Sequence, residues 1–335
     1  MAKNGHDGAQ ASLEISRAHR LRRDERTVNL VRQLHPDGQP LAAAAGATGT
    51  AQRKVYDCGH GTALHVPTRL VRSEGGAVVV DPIVNQVYDF AGNTRDYLKT
   101  LGRNSIDNNG MDLVLNVHYG TNFMNAFWDG DEMVFGDGDN QVFTSFGKSA
   151  DVVAHELFHG VTQFTANLVY KGQPGALNEH FSDVFGSVVQ QIIKKQNAGN
   201  ADWLIGDEIM GPTLRGEALR SMKYPGTAYD NNLMGKDPQP AHMDQYYAGP
   251  NDNYGVHINS GIMNRVFYLV AMDIGTTAAA GIWFETLGKL WSTAKFNDAV
   301  AVLVRVARNQ VAQGKVPLGS PQSVRAALKS VGLPR

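Results

Sequence analysis

The pentapeptide His155-Glu156-Leu157-Phe158-His159 constrains this chain more than any other feature. It sits among Val152, Val153, Leu157, Phe158, Val161, Phe164 and Leu168, whose spacing predicts a helix from about residue 151, with Asp151 able to cap it. Residues four apart share one face of a helix, so His155 and His159 can aim two imidazoles at a single ion. Glu156 is offset by one residue and reaches the space beside that ion. This is the H-E-x-x-H arrangement of zinc hydrolases. The plain alternative is two core histidines beside a surface glutamate. A lone cysteine, Cys58, excludes a disulfide framework and any multi-cysteine metal site.

A second stretch, Asn178 to Lys195, also reads as a helix, with Phe181, Val184, Phe185, Val188, Val189, Ile192 and Ile193 apolar. It opens with Asn178-Glu179-His180-Phe181-Ser182-Asp183, about twenty residues beyond His159. A catalytic zinc held by two histidines needs a third protein ligand and an open position for water. Glu179 is a natural third ligand. The other ring nitrogen of a ligating histidine needs an acceptor. Asp183, one turn on, and Asn178 are placed for that work.

The rest of the chain divides by composition. Residues 1–52 stand apart: Ser12 to His35 reads as a basic amphipathic helix, followed by the small-residue run 41–50. A helix joined through a cleavable linker suggests a pro-segment. Residues 53–150 are expected to form an α+β domain. Strands are predicted at 54–57, 77–80 and 113–118, with a helix from Ile83 to Leu98. Residues 151–335 are expected to hold the metal helix and a mainly helical domain. The 335 residues suffice for such a division.

Composition narrows the function. A net charge of −1 argues against a nucleic-acid partner. No apolar run approaches a membrane span, and the first thirty residues lack a secretory signal core. An extracellular protein exported by a non-classical route, or a cytoplasmic one, fits that pattern. Acidic residues are 23 Asp against 9 Glu, many beside Gly or Asn, as in 136–140 and 251–253. Turn chemistry is the simple reading and calcium coordination the sharper one. His60, His65 and His118 show no ligand spacing.

Several motifs in order resemble the thermolysin family of zinc metallopeptidases over roughly residues 53–335. They are H-E-L-F-H, N-E-H-F-S-D, Gly255-Val256-His257 with Asn259-Ser260-Gly261-Ile262, Asn125-Ala126-Phe127-Trp128 with its Asp/Gly-rich sequel, and Gly216 to Met222. The short N-terminal segment is most similar to the protealysin-like branch. The resemblance implies a two-domain α+β fold with a cleft between the domains. It implies zinc on His155, His159 and Glu179, and Glu156 as general base. It gives His257 and Tyr170 the oxyanion, and Asp252 the orientation of His257. Arg220 and Asn125 would hold substrate backbone, with Ala126 to Trp128 pairing it as an added strand. Phe143, Phe146, Val152, Ile205 and Leu219 would line the apolar pocket beyond the scissile bond, and Phe146 would make it shallow. Asp151, Asp202 and Asp207 match acids of the family's double calcium site. Gln190 stands where a bridging glutamate is expected, so one calcium at most is anticipated.

Two further departures are visible. The N-terminal segment lacks a proline-pair motif, and His180 follows Glu179 where a small apolar residue is common; His180 is expected to point away from the metal. The expected protein is a secreted-type neutral zinc endopeptidase made as a precursor, cutting on the amino side of apolar residues. Its expected partners are protein or peptide substrates and its own pro-segment, with the chain a monomer. The rivals are a non-catalytic metal-stabilised binding module and a metallohydrolase of non-peptide substrates. Glu156, His257 and Arg220 speak against the first, and the 125–128 edge strand against the second.

Overall fold

The computed structural model describes residues 49–334. The expected helix at 12–35 and most of the linker lie outside them. The chain clusters into two compact units. One runs to Phe164 and includes Glu208–Arg215. The other takes Thr165–Asp207 and everything from Gly216 onward. The architecture is α+β, with strands concentrated in the first unit and helices in the second.

The first unit is built on a five-stranded sheet. Its strands are β1 (Arg53–Asp57), β2 (Leu70–Ser73), β3 (Leu113–Val117), β4 (Ala126–Trp128) and β5 (Met133–Phe135), in the order β2-β1-β3-β5-β4. β1 pairs parallel with β3, and β3 with β5; the two outer pairs are antiparallel. Parallel neighbours need a long crossover, and helix α1 (Pro82–Thr100) lies within the one from β1 to β3. Asp81 caps α1 by accepting from the N–H groups of Ile83 and Val84, and Pro82 starts it. Val84, Val87, Ala91 and Leu98 form its buried stripe. Fully burying such a Val or Leu contributes about 1.5–3 kcal/mol as an upper figure. Gly102, at φ 76°, ends the helix, with Gly102 N–H bonded to Lys99 O and Arg103 N–H to Leu98 O.

One expected strand is a loop. Residues 78–80 are all valine, yet Val79 pairs its backbone N–H and C=O with the side chain of Asn85. That pairing takes the groups a neighbouring strand would need, and Val78 and Val80 stand exposed. The aspartate clusters serve turns. Asp139 Oδ1 accepts from the N–H groups of Gln141, Val142 and Phe143.

Helix α2 (Ala150–Gln163) is buried at every position from Ala150 to Thr162. Such a helix is core on all sides. Gly160 makes this possible, because a Cβ there would meet Ile106 Cγ2 at 2.6 Å and the Trp128 ring at 3.2 Å. Asp151 does not cap α2: Ser149 occupies the cap position, and Asp151 lies in the first turn, accepting from Ser149 Oγ and Val152 N–H.

The second unit carries α3 (Gly172–Ile193), α4 (Asn251–Ile274), α5 (Thr276–Leu287), α6 (Phe296–Ala312) and α7 (Ser320–Ser330). α3 starts six residues before the predicted point, and its middle is buried from Gly175 to Gln191. The stretch from Gly226 to Pro250, ahead of these last four helices, is mostly loop. Among the described residues no helix is long and apolar enough to cross a membrane.

Candidate metal centre

His155 and His159 project from consecutive turns of α2, with ring centroids 4.6 Å apart and planes nearly perpendicular. One ligand atom from each of His155, His159 and Glu179 lies within 4.8 Å of the others, and all three residues are buried. Among the described residues no other group of three or more His, Cys, Asp or Glu gathers so closely. Two imidazoles and a carboxylate are the donor set of a catalytic zinc with one position open. The residues therefore fit the ion that their spacing predicts.

Glu156 is buried on the same helix. Its Oε2 accepts the backbone N–H of Trp128 at 2.9 Å. Trp128 closes β4, the edge strand of the sheet. Its indole N–H donates to Gln163 Oε1, and Gln163 returns a bond to Gly130 O, so both ends of the tryptophan are tied to α2. Asn125 precedes this strand and accepts from the N–H of Ala126 at 2.9 Å. The rings of Phe143 and Phe146 lie 5.5 Å apart, and both are buried, as is Val152.

Two side chains converge on Glu179, and Asp252 backs one of them. Tyr170 donates its hydroxyl to Glu179 Oε1. His257 Nε2 lies 3.0 Å from the Tyr170 oxygen and 3.5 Å from Glu179 Oε2. On its other side, His257 Nδ1 bonds Asp252 Oδ1 at 2.5 Å. Gly175 permits this approach, since a Cβ there would meet Val256 Cγ1 at 2.5 Å and the Tyr170 backbone at 3.0 Å.

The backbone around Asp252 is strained. Asp252, Asn253, Tyr254 and Gly255 all have φ between 48° and 80°. Left-handed geometry costs non-glycine residues about 1–2 kcal/mol each. The Asp252 carboxylate offsets part of this by accepting from the N–H groups of His257 and Ile258 as well as the ring. One carboxylate thus starts the regular helix and aims the imidazole.

Arg220 opens the short strand β7 (Arg220–Ser221), paired with β6 (Leu204–Ile205). Next to that strand, Leu219 N–H bonds Ile205 O at 2.9 Å. The Arg220 guanidinium forms a bidentate pair with Asp183, Nε and Nη2 each 2.7 Å from a carboxylate oxygen. Burial opposes the charge on Arg220, but Asp183 outweighs it and holds its pKa above the ordinary value. Asn178 donates to Leu168 O.

His180 points into the protein and meets Trp283 and Asn264. Burial pushes its pKa down to about 4, so the ring is neutral. Two partners at the site were not anticipated. Gln239 donates to the carbonyl of His257 and to Ser260 Oγ, and Asn264 donates to Asp183. Neither carries a local sequence signal. Cys58 is buried, and burial raises its thiol pKa to about 11, so it stays protonated near neutrality.

Two of the residues expected to hold calcium have protein partners. Asp151 is engaged with Ser149, which also contacts Glu208 at 3.4 Å. Asp202 Oδ1 accepts from Leu204 N–H, and Gln190 is buried.

Two family models match. Residues 47–163 match the thermolysin metallopeptidase catalytic domain, and residues 166–333 its alpha-helical domain. An extracellular metalloprotease of Pectobacterium carotovorum subsp. carotovorum is 49% identical over 257 residues, covering 76% of this chain and 73% of that protein. Protease PrtS of Photorhabdus sp. (strain Az29) is 47% identical over 244 residues, covering 71% and 65%. Among solved structures, the precursor of protealysin, a metalloproteinase from Serratia proteamaculans, superposes with a TM-score of 0.81 at 44% identity, covering 88% of this chain and 92% of that one.

Proposed function

This chain belongs to the thermolysin family of metallopeptidases, on its protealysin-like branch, and is a zinc-dependent metalloendopeptidase; from that premise we propose that it is made as a precursor and cuts peptide bonds on the amino side of apolar residues. The observation that carries the reading is the convergence of His155, His159 and Glu179 with Glu156 held on the same helix.

His155, His159 and Glu179 would hold the zinc. When bound, zinc supplies Lewis acidity that acidifies water and polarises the scissile carbonyl. Glu156 accepts the proton of the attacking water and then delivers it to the leaving amine nitrogen. Tyr170 Oη and His257 Nε2 donate to the oxyanion, with Asp252 orienting the imidazole. Arg220 and Asn125 grip the substrate backbone, and Ala126 pairs it along the open side of β4. We assign the apolar side-chain pocket to Phe143, Phe146, Val152, Ile205 and Leu219, with Phe146 favouring the smaller apolar residues.

Residues 1–52 act in this reading as an inhibitory pro-segment cut within the linker. The cut would fall near residues 41–53, where Arg95 binds the Ala51 carbonyl and Leu113 N–H bonds Gln52 O. Asp151, Asp202, Asp207 and Gln190 would bind one calcium at most; a thermal midpoint indifferent to added calcium removes that assignment.

The test is digestion of a mixed peptide library by the zinc-supplied protein, read by mass spectrometry, beside Glu156→Gln. Cuts before apolar residues, absent in the variant, establish the reaction and its base. A profile favouring charged residues there contradicts the pocket. No cleavage, even without residues 1–52, supports a binding module instead.

A further inference from the structure

Five side chains of the second unit form one directed line of hydrogen bonds, four of them fully buried. Trp283 Nε1–H donates to His180 Nε2 at 2.7 Å. His180 Nδ1 lies 2.8 Å from Asn264 Oδ1. Asn264 Nδ2 donates to Asp183 Oδ2 at 2.8 Å. Asp183 grips Arg220 with both oxygens.

The direction of the line follows from chemistry at one end. An indole N–H can only donate. His180 Nε2 must therefore present its lone pair, which places the proton on Nδ1. Nδ1–H donates to an amide oxygen, so Asn264 must turn its oxygen toward His180 and its NH2 toward Asp183. Asp183 Oδ2 then accepts from Asn264 as well as from Arg220 Nε. Its plane is fixed, and with it the plane of the guanidinium.

A purely structural core position would be met more simply by an apolar side chain, because each buried polar group costs stability unless paired. Here every link is paired, and the line ends on the one charged group that reaches partial exposure, Arg220.

From this we infer that His180 is a positioning residue: its tautomer, chosen by Trp283, sets Asp183 through Asn264 and so aims Arg220 at the substrate carbonyl. The inference rests on the reading of Arg220 as a substrate-backbone ligand. His180 touches no substrate and moves no proton.

The experiment uses the full chain, zinc supplied, with a fluorogenic peptide. Arg220→Ala, His180→Phe, Trp283→Phe and His180→Gln are compared. His180→Phe keeps a planar ring, somewhat larger, and removes both nitrogens. Trp283→Phe removes the donor together with part of the buried ring system. His180→Gln restores one donor and one acceptor. Misaiming a substrate ligand by around an ångström costs up to about 100-fold, so His180→Phe is expected to lower kcat/KM by about 10-fold or more through KM, with zinc content unchanged. His180→Gln should recover part of it. In the Arg220→Ala background, His180→Phe should add no further rise in KM.

An unchanged KM in His180→Phe, beside a raised KM in Arg220→Ala, overturns the relay and leaves the reading of Arg220 standing. An unchanged KM in Arg220→Ala removes the substrate role of Arg220 and the inference with it. Nitrogen-15 NMR of the wild type tests the tautomer independently of any variant's folding. A proton on Nδ1 is expected, and a proton on Nε2 overturns the line at its first link.

Discussion

The backbone N–H of Trp128 donates to the carboxylate of Glu156 at 2.9 Å, joining the end of an edge strand to the middle of the metal-binding helix. The carboxylate is thus oriented by main chain rather than by a flexible partner. Glu156→Gln keeps an oxygen for this bond and removes the base. Its kcat should fall by about 10²–10⁴-fold, with zinc content and thermal midpoint unchanged. A variant that turns over like the wild type would exclude Glu156 as the base.

Asp252 holds two backbone N–H groups and the His257 ring at a left-handed turn. Asp252→Ala should cost about 1–2 kcal/mol in urea unfolding, as loss of a helix cap does. Its kcat should fall more than its KM rises, because the freed imidazole serves the transition state. An effect on stability alone would limit Asp252 to capping.

His118 sits between two carboxylates, Nδ1 2.8 Å from Asp137 and Nε2 2.8 Å from Asp81, with His60 3.6 Å from the same Asp137 oxygen. The hydrogen bond to Asp137 is the main cause of a pKa raised from 6.5 to about 9. A raised pKa means the folded state binds the proton more tightly. The stabilisation is complete below 6.5 and drains away as pH rises through about 9. Unfolding followed across that window should show wild-type stability falling with pH more steeply than in His118→Gln. Parallel curves would refute the assignment.

Gly175 admits no side chain, since a Cβ would meet Val256 Cγ1 at 2.5 Å and Tyr170 backbone at 3.0 Å. Gly175→Ala should cost about 1–3 kcal/mol, the usual penalty of overpacking. The strain falls on Tyr170 and on Val256, the neighbour of His257, so activity should drop with stability. Full activity at a lowered thermal midpoint would show that the site tolerates the shift.

Metal removal gives the last expectation. A ligand at 100 times its dissociation constant stabilises by about 2.7 kcal/mol. Chelation should therefore lower the thermal midpoint and abolish cleavage, with both restored by zinc. Glu179→Ala should lose stoichiometric zinc by elemental analysis. Retention of one zinc in that variant would remove Glu179 from the ligand set.

Much of the site could be read from spacing, because a helix converts sequence separation into direction. His155 and His159 share a face at any i, i+4 pair, whatever surrounds them. The same rule misleads where pairing is not local. Residues 77–80 carry a strand's composition, but a strand exists only beside another strand, and Asn85 captured Val79 first.

Local chemistry written along the chain accounts for the metal helix, the apolar stripes, the turns closed by aspartate and the glycine that ends α1. These depend on neighbours a few bonds away. The destination of His180, the pairing of Asp183 with Arg220, and the capture of His257 by Tyr170 belong to packing. Trp283 and His180 are 103 residues apart, and Tyr170 and His257 are 87. A hydrogen bond is directional over about 3 Å. Its partner is chosen only when the folded backbone has brought two distant side chains to that distance and no water remains to compete.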